Sequence, residues 1–303
     1  MRMIVLVLGL LLTVVAPALA SLQITVHDPQ YHVTVSDLAE DVHIDWIAGA
    51  ITVTSQARSP LASHGALARE AACKEALVRA KGQLKTALGG MKLTSYATVG
   101  EMLRCRILPV EAMDNICENL RMAASGWDEE MQRITLVSVL PFLGPNTPAE
   151  LSARMLKLEQ QALAEGDKPP LHAIDKRRLR PRTVVKQLSA GPYNGLVIDC
   201  RGLRYTPLLL SKLLAPDGTE IWPLGKINTL MVMEKGWLGY YATLKDALTS
   251  TRVGDAPYLV TPLGVAGDLH GDLVLSPEDI QVLQSKNTDG NLLTNQSVAL
   301  LID

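Results

Sequence analysis

Apolar side chains recur every three to four residues through one long segment, between Ser63 and the pair Gly89-Gly90. That spacing places them on one face of an α-helix. Ser63 is suited to cap the start of such a helix, and the two glycines are suited to end it. Six positions share the apolar face: Ala66, Cys73, Leu77, Ala80, Leu84 and Leu88. The pattern predicts one amphipathic helix that packs against a sheet or a second helix.

Strand-like patterns lie on both sides of this helix. In four segments apolar residues alternate with polar ones or β-branched residues dominate, as in half-buried or buried strands. These segments are Gln23–Val26, His32–Val35, Ile51–Thr54 and Arg133–Phe142. A shorter helix is predicted over Val99–Arg104, and a second short helix or a turn over Pro109–Leu120. Together these elements predict leader strands in residues 21–43 and a small α+β domain over residues 44–146.

A second set of elements fills residues 191–303, after a helix over Pro148–Ala164 and a basic linker that together occupy residues 147–190. The predicted strands are Gly195–Cys200, Tyr258–Thr261, Asp272–Leu275 and Ser297–Ile302. Pro216–Thr219 predicts a hairpin turn, and helices are predicted over Tyr240–Thr249 and after the cap Ser276-Pro277. The predicted fold class is α+β, with two small mixed domains that each pack a short sheet with one or two helices.

Residues 1–20 have the layout of a secretory signal peptide. Arg2 supplies a positive charge, Ile4–Val15 form an apolar run, and Ala18–Ala20 offer a cleavage site. An uncleaved membrane anchor is the alternative, although the run is shorter than the roughly 20 residues that span a bilayer. Cleavage would leave Ser21 first, and serine cannot receive a lipid as cysteine does. The sequence therefore predicts a periplasmic protein that is not lipidated.

Composition and charge narrow the class of protein. The chain is 48% hydrophobic and 20% charged, which is typical of a protein that folds around real cores. Only Arg2 of the 29 basic residues leaves with the signal peptide, so 28 Lys and Arg face 31 Asp and Glu and the net charge is −3. This near-neutral balance argues against nucleic acid as a partner.

Four cysteines are present in a chain that is predicted to reach an oxidising compartment. Cys105 and Cys117 are close in sequence and are the most plausible disulfide pair. A loop this short would contribute about 3 kcal/mol to stability if it closed. The alternative is that all four cysteines are small buried apolar residues.

A cluster of cations lies in the predicted linker. It consists of Lys176, Arg177, Arg178, Arg180 and Arg182. These side chains could contact a partner, the peptidoglycan or a membrane surface as a peripheral interaction. The alternative is a solvated linker without a partner.

No motif of a known reaction, metal or cofactor is found in the sequence. HExxH, CxxC, G-x-S-x-G and the glycine-rich phosphate loops are all absent. We therefore expect neither an enzyme nor a bound cofactor or metal. The strongest local candidates for ligand binding are Asp199 and Arg201 at the end of a strand, and His270 between Asp268 and Asp272. A self-satisfied ion pair and a polar loop are the alternatives.

Segments of the first half resemble a family of bacterial envelope proteins. They are Ile47–Thr54, Ala66–Ala72, Ala76–Ala80 and Pro141–Gly144. The family includes small outer-membrane lipoproteins and the N-terminal region of the flagellar assembly protein T. Its pattern is a strand with glycine, a helix with A-x-x-A steps, and a strand that ends in Pro-Leu-x-Gly. The resemblance covers about residues 44–144, and Ser21 departs from it where the lipoproteins carry cysteine.

The second half is similar to a segment that is attached to such domains in uncharacterised bacterial proteins. Gly195–Leu203, Pro216–Gly218 and Ser276–Ile280 carry this similarity. It implies a periplasmic α+β module with no activity attached to it.

The resemblance and the predicted export together favour a structural or assembly protein of the bacterial envelope. We expect it to be associated with the flagellum or the outer membrane and to act through contacts with envelope or flagellar proteins, or with its own copies. The alternative is a periplasmic ligand-binding or hydrolytic protein that uses Asp199, Arg201 and His270 in the C-terminal domain.

Overall fold

Helices and separate sheets build both halves of the chain, which confirms the predicted α+β class. The computed structural model describes residues 23–26, 41–60, 65–167, 171–222, 228–286, 293 and 295–303. The predicted signal peptide, the predicted strand His32–Val35 and the proposed cap Ser63 lie outside the described residues. In the part that is described, no helix combines the length and apolar character that a membrane span requires.

The first half is built on one antiparallel sheet in the order β1-β4-β5-β3-β2. Its strands are β1 (Gln23–Val26), β2 (Asp41–Asp45), β3 (Ala50–Arg58), β4 (Arg121–Asp128) and β5 (Arg133–Pro141). Its helices are α1 (Ala66–Gly90), α2 (Val99–Arg104) and α3 (Val110–Glu118). The central strand β5 pairs with β3 along its whole length, from Arg133 opposite Arg58 to Pro141 opposite Ala50. The predicted helix over Val99–Arg104 is confirmed, and the second predicted segment forms a helix and not a turn.

Helix α1 packs on this sheet through small side chains. Its buried positions are four residues apart: Ala68, Ala72, Ala76, Ala80, Leu84 and Leu88. The predicted face is right at its last three positions and wrong at Ala66, which is exposed. Cys73 and Leu77 are half-buried and pack against the edge of the core. Alanine brings the helix axis close to the sheet, and Ser55 Oγ of β3 donates to the Ala76 carbonyl at 2.9 Å.

The second half contains two four-stranded sheets. The first is fully parallel, in the order β10-β6-β13-β9, and the second has the order β11-β12-β7-β8. The strands are β6 (Gly195–Asp199), β7 (Leu213–Leu214), β8 (Glu220–Trp222), β9 (Gly239–Tyr241), β10 (Pro257–Val260), β11 (Gly264–Ala266), β12 (Asp272–Val274) and β13 (Val298–Leu301). The predicted closing strand is thus confirmed, and as β13 it lies inside the parallel sheet.

In the described residues of this half, three helices accompany these sheets: α5 (Thr229–Lys235), α6 (Leu244–Thr249) and α7 (Pro277–Ser285). Ser276 Oγ accepts the backbone N–H of Asp279 at 3.1 Å, so the predicted cap of α7 is confirmed. The prediction of one helix over Tyr240–Thr249 is wrong at its start. Tyr240 belongs to β9, and Thr243 caps α6 by accepting the backbone N–H of Asp246 at 3.1 Å.

Helix α4 (Pro148–Ala164) lies between the two halves and has the predicted bounds. One of its faces is buried, and Leu156 on this face belongs to the same apolar cluster as Leu84 of α1 and Leu300 of β13. The chain after α4 runs along the second half, where Arg180 N–H donates to the Leu263 carbonyl at 2.7 Å. The apolar core is therefore continuous through α4, and cavities at this junction are bounded by both halves.

Candidate functional site

The pair Asp199 and Arg201 lies at the carboxyl end of β6. Arg201 donates from Nε to Asp199 Oδ1 and from Nη2 to Asp199 Oδ2, both at 2.8 Å. This guanidinium holds the pKa of Asp199 below its usual value. Both side chains are more than a third exposed. The carboxylate and the guanidinium satisfy each other at the surface.

His270 belongs to a different environment. Its carbonyl accepts the backbone N–H of Thr206 at 3.0 Å, and its Nε2 lies 3.4 Å from Nη1 of Arg178. Neither His270 nor the Asp199–Arg201 pair lines the two junction cavities described below. The structure does not bring the three predicted ligand-binding residues into one of these cavities. The described residues also contain no group of three metal-ligating side chains.

The five cations of the predicted linker differ in their contacts. They are Lys176, Arg177, Arg178, Arg180 and Arg182. Arg182 is bound to the second half, because its Nη2 donates to Asp279 Oδ1 at 2.7 Å. Arg180 donates to the Gly202 carbonyl at 2.6 Å, and Arg178 lies 3.5 Å from Asp175. Lys176 and Arg177 are exposed. Part of the cluster therefore fastens the segment to the second half.

Cys105 and Cys117 are both free thiols, so the structure does not contain the predicted disulfide. Cys117 is buried on the inner face of α3, and this burial raises the pKa of its thiol. Cys105 is exposed just after α2. One thiol faces the core and the other faces solvent.

A network of buried ionisable groups lies where the two halves meet. Lys212 Nζ is 3.0 Å from Glu220 Oε2 and 3.1 Å from Glu159 Oε1 of α4. His172 Nε2 lies 3.3 Å from the same Glu220 oxygen, and its Nδ1 is 3.5 Å from the Tyr96 hydroxyl. Burial acts to lower the pKa of Lys212, but the two carboxylates hold it above its usual value. The ammonium group is thus compensated by two acids.

A cleft of about 480 Å³, which we call the junction cleft, is lined by four of these groups: Tyr96, Glu159, His172 and Lys212. Its wall includes Tyr96 and Ser95 of the first half, Glu159 of α4, and Lys212 and Asp272 of the second half. Asp272 is only 1% exposed, and this burial raises its pKa to about 6. Two groups act to lower the pKa of Asp272. One is the Lys212 backbone N–H, which donates to Asp272 Oδ1 at 2.8 Å, and the other is the Ser95 hydroxyl.

A second cavity at the junction, of about 230 Å³, has aromatic walls, and we call it the aromatic pocket. Trp46 packs edge-on against Phe142 and Tyr240, with ring centroids 5.2 and 5.4 Å apart. Trp237 and Tyr241 also line the pocket. At its mouth Ile47 is 49% exposed and Leu143 is 43% exposed. Arg252 forms part of the wall. The pocket thus combines an apolar rim, aromatic rings and one guanidinium.

Sequence reasoning missed both cavities. The aromatic pocket joins Trp46–Gly49, Phe142–Leu143 and the segment Lys235–Tyr241, which are far apart in the chain. The one available signal was local: the run Gly236-Trp237-Leu238-Gly239-Tyr240-Tyr241 concentrates aromatic residues and glycine in a chain with only 4% aromatic residues.

The C-terminal part of the chain matches a known family. Residues 195–303 match the family described as the second domain of Treponema pallidum Tp0624. No curated protein matches the chain. The matched range contains all the strands of the two small sheets described above, from β6 to β13. The C-terminal part of the chain is therefore similar to a domain of a bacterial protein, in agreement with the attached C-terminal module that the sequence predicted.

Proposed function

We propose that this chain is an exported, non-enzymatic protein of the bacterial envelope that acts through protein–protein contacts in the periplasm. The aromatic pocket and its exposed rim carry this proposal. Trp46, Ile47 and Leu143 place apolar surface around a concave site, and exposed apolar patches of this kind are typical of interaction sites. An assembly role at the flagellum or the outer membrane fits the family that residues 44–144 resemble.

The ionisable groups of the junction cleft support a structural role in preference to a catalytic one. Lys212 is held by Glu159 and Glu220, and Glu220 is also held by His172. Buried charges that neutralise one another in this way fix the relative position of the two halves of a protein. The alternative ligand-binding or hydrolytic function loses its proposed centre, because Asp199 and Arg201 pair with each other and His270 lies beside Arg178.

Export is tested by fractionation of the native host and by sequencing the N-terminus of the isolated protein. We expect the protein in the periplasmic fraction with Ser21 as its first residue. An intact chain that begins at Met1 in the cytosolic fraction would refute export.

The contact site is tested by photo-crosslinking in intact cells. A photoreactive residue at position 47, on the rim of the aromatic pocket, should give a discrete crosslinked product. Position 78 serves as the matched control, because Val78 is also exposed (66%) but lies on α1 away from the pocket lining. Equal crosslinking at both positions, or none at position 47, would argue against the pocket as the contact site.

A peripheral contact with peptidoglycan or a membrane surface is a further proposal, and it rests on Lys176 and Arg177. These two cations are exposed, whereas Arg182 is tied to Asp279. Co-sedimentation with envelope fractions should weaken as salt is raised, because exposed charges are screened. Salt-independent sedimentation would remove this proposal.

A further inference from the structure

The lining of the aromatic pocket carries a positive charge. Among the described residues that line it are two cations, Lys235 and Arg252, and no carboxylate. The junction cleft differs, since Glu159 and Asp272 line it together with Lys212. The described lining residues would therefore attract an anion that enters the aromatic pocket.

Arg252 is held in place without being neutralised. Its Nη1 donates to the Gln296 carbonyl at 2.8 Å, and the Tyr241 hydroxyl is a second neutral neighbour. None of the ion pairs in the described residues includes Arg252. Burial lowers the pKa of this guanidinium, whereas Tyr241 acts to raise it. Arg252 is half-buried, and cations that are withdrawn from water are normally paired with an acid. An external carboxylate would supply the partner that Arg252 lacks among the described residues.

The backbone leaves room for this guanidinium. A Cβ atom on Gly239 would lie 2.8 Å from Arg252 Nε and 2.9 Å from Tyr241 Cε2. A Cβ atom on Gly236 would lie 3.7 Å from Arg252 Nη2, and Gly236 has a positive φ of 76°. The absence of a side chain at Gly239 thus leaves the space that the Arg252 side chain occupies beside β9 at the wall of the pocket.

We propose that the aromatic pocket takes an apolar side chain of a partner protein together with an adjacent carboxylate, which pairs with Arg252. The proposal rests on the contact function proposed above and names the chemistry of the partner. The volume of about 230 Å³ suits one side chain and is small for a cofactor or a drug-sized ligand. The rings supply apolar contact, and the guanidinium supplies a charge-assisted hydrogen bond.

Two small probes that differ in one charge test this proposal. N-acetyl-phenylalanine carries a ring and a free carboxylate, and N-acetyl-phenylalanine amide carries the same ring without the charge. NMR titration of the mature chain, residues 21–303, should show shifts around Trp46 and Arg252. We expect the carboxylate to bind about tenfold more tightly than the amide, as a charge-assisted hydrogen bond predicts. Added salt should reduce this preference.

Variants then assign the preference to the guanidinium. Arg252→Met should abolish the difference between the two probes, and Arg252→Lys should restore part of it. Arg201→Met is the control, because Arg201 pairs with Asp199 outside the pocket and should leave both affinities unchanged. Circular dichroism establishes that each variant is folded before its affinity is compared.

The outcomes separate this inference from the proposed function. Equal binding of both probes, or a preference for the amide, would overturn the role of Arg252 while leaving the pocket as a contact site. Binding of neither probe would overturn the inference altogether, whereas the crosslinking at position 47 tests the contact function independently. A peptide with a free C-terminus and the same peptide with an internal aspartate then show whether the carboxylate is terminal or comes from a side chain.

Discussion

The buried carboxylate of Asp272 should make the stability of this protein depend on pH in an unusual direction. Asp272 is 1% exposed and its pKa is raised from 3.8 to about 6 by burial. Replacing it with asparagine keeps the shape of the side chain and the acceptor for the Lys212 backbone N–H. The Asp272→Asn variant therefore removes the titration with little change in packing.

The expected size follows from the two pKa values. Between about pH 4 and pH 6 the folded chain binds more protons at this position than the unfolded chain does, so ionisation of Asp272 destabilises the fold as the pH rises. A shift of this size corresponds to about 3 kcal/mol in the free energy of unfolding. Of this change in the free energy of unfolding, about 2 kcal/mol occurs between pH ~4.5 and pH ~7.5. Most acidic groups that are paired in a folded protein give the opposite slope.

Urea unfolding of the wild type and Asp272→Asn at several pH values measures this effect. The free energy of unfolding of the variant, minus that of the wild type, should rise by about 2 kcal/mol from pH ~4.5 to pH ~7.5. Asp167→Asn is the control, because Asp167 is exposed. A second comparison in a His172→Gln background removes the nearby imidazole that interacts with Asp272. A difference that stays constant, or that falls with pH, would refute the reasoning.

Three further substitutions test the junction and the packing. Lys212→Met should lower the free energy of unfolding, measured in urea, by about 3–5 kcal/mol, because it leaves the buried Glu220 carboxylate without its ammonium partner. The double variant Lys212→Met/Glu220→Gln should recover part of that loss. Gly239→Ala should cost about 1–3 kcal/mol in the same assay, because the new Cβ would lie 2.8 Å from Arg252 Nε. Gly82→Ala should raise the melting temperature and add up to about 1 kcal/mol, because position 82 lies in a helix interior with no atom within 4 Å of the new Cβ. A loss of stability in that variant would contradict the packing of α1.

The local elements of this fold could be predicted where a periodic pattern coincided with a capping signal. The start of α4 follows from Pro148 in its first turn, and the start of α7 follows from Ser276-Pro277. The buried face of α1 could be predicted only at its C-terminal end. Where the inward residues are alanines among other alanines, hydrophobicity does not distinguish the inward face from the outward one.

Two strands show the limit of local patterns. β4 was not predicted, since its sequence RMAASGWD has small residues where strands usually carry β-branched ones, and it is ordered by β5 pairing along its length. β9 was assigned to a helix, although its pairing with β13 makes it an edge strand of the parallel sheet. Partners that are distant in sequence decide both cases.

The cavities were beyond prediction for the same reason, and helix α4 explains where they lie. Its residue Ser152 lines the aromatic pocket and donates to the Leu209 carbonyl at 2.9 Å, and its residue Glu159 lines the junction cleft and holds Lys212. One helix therefore contributes to the walls of both cavities, through residues about two turns apart. Because α4 precedes residues 195–303, the matched domain alone lacks part of each wall. Whatever these cavities bind, their shape depends on the packing of both halves against α4.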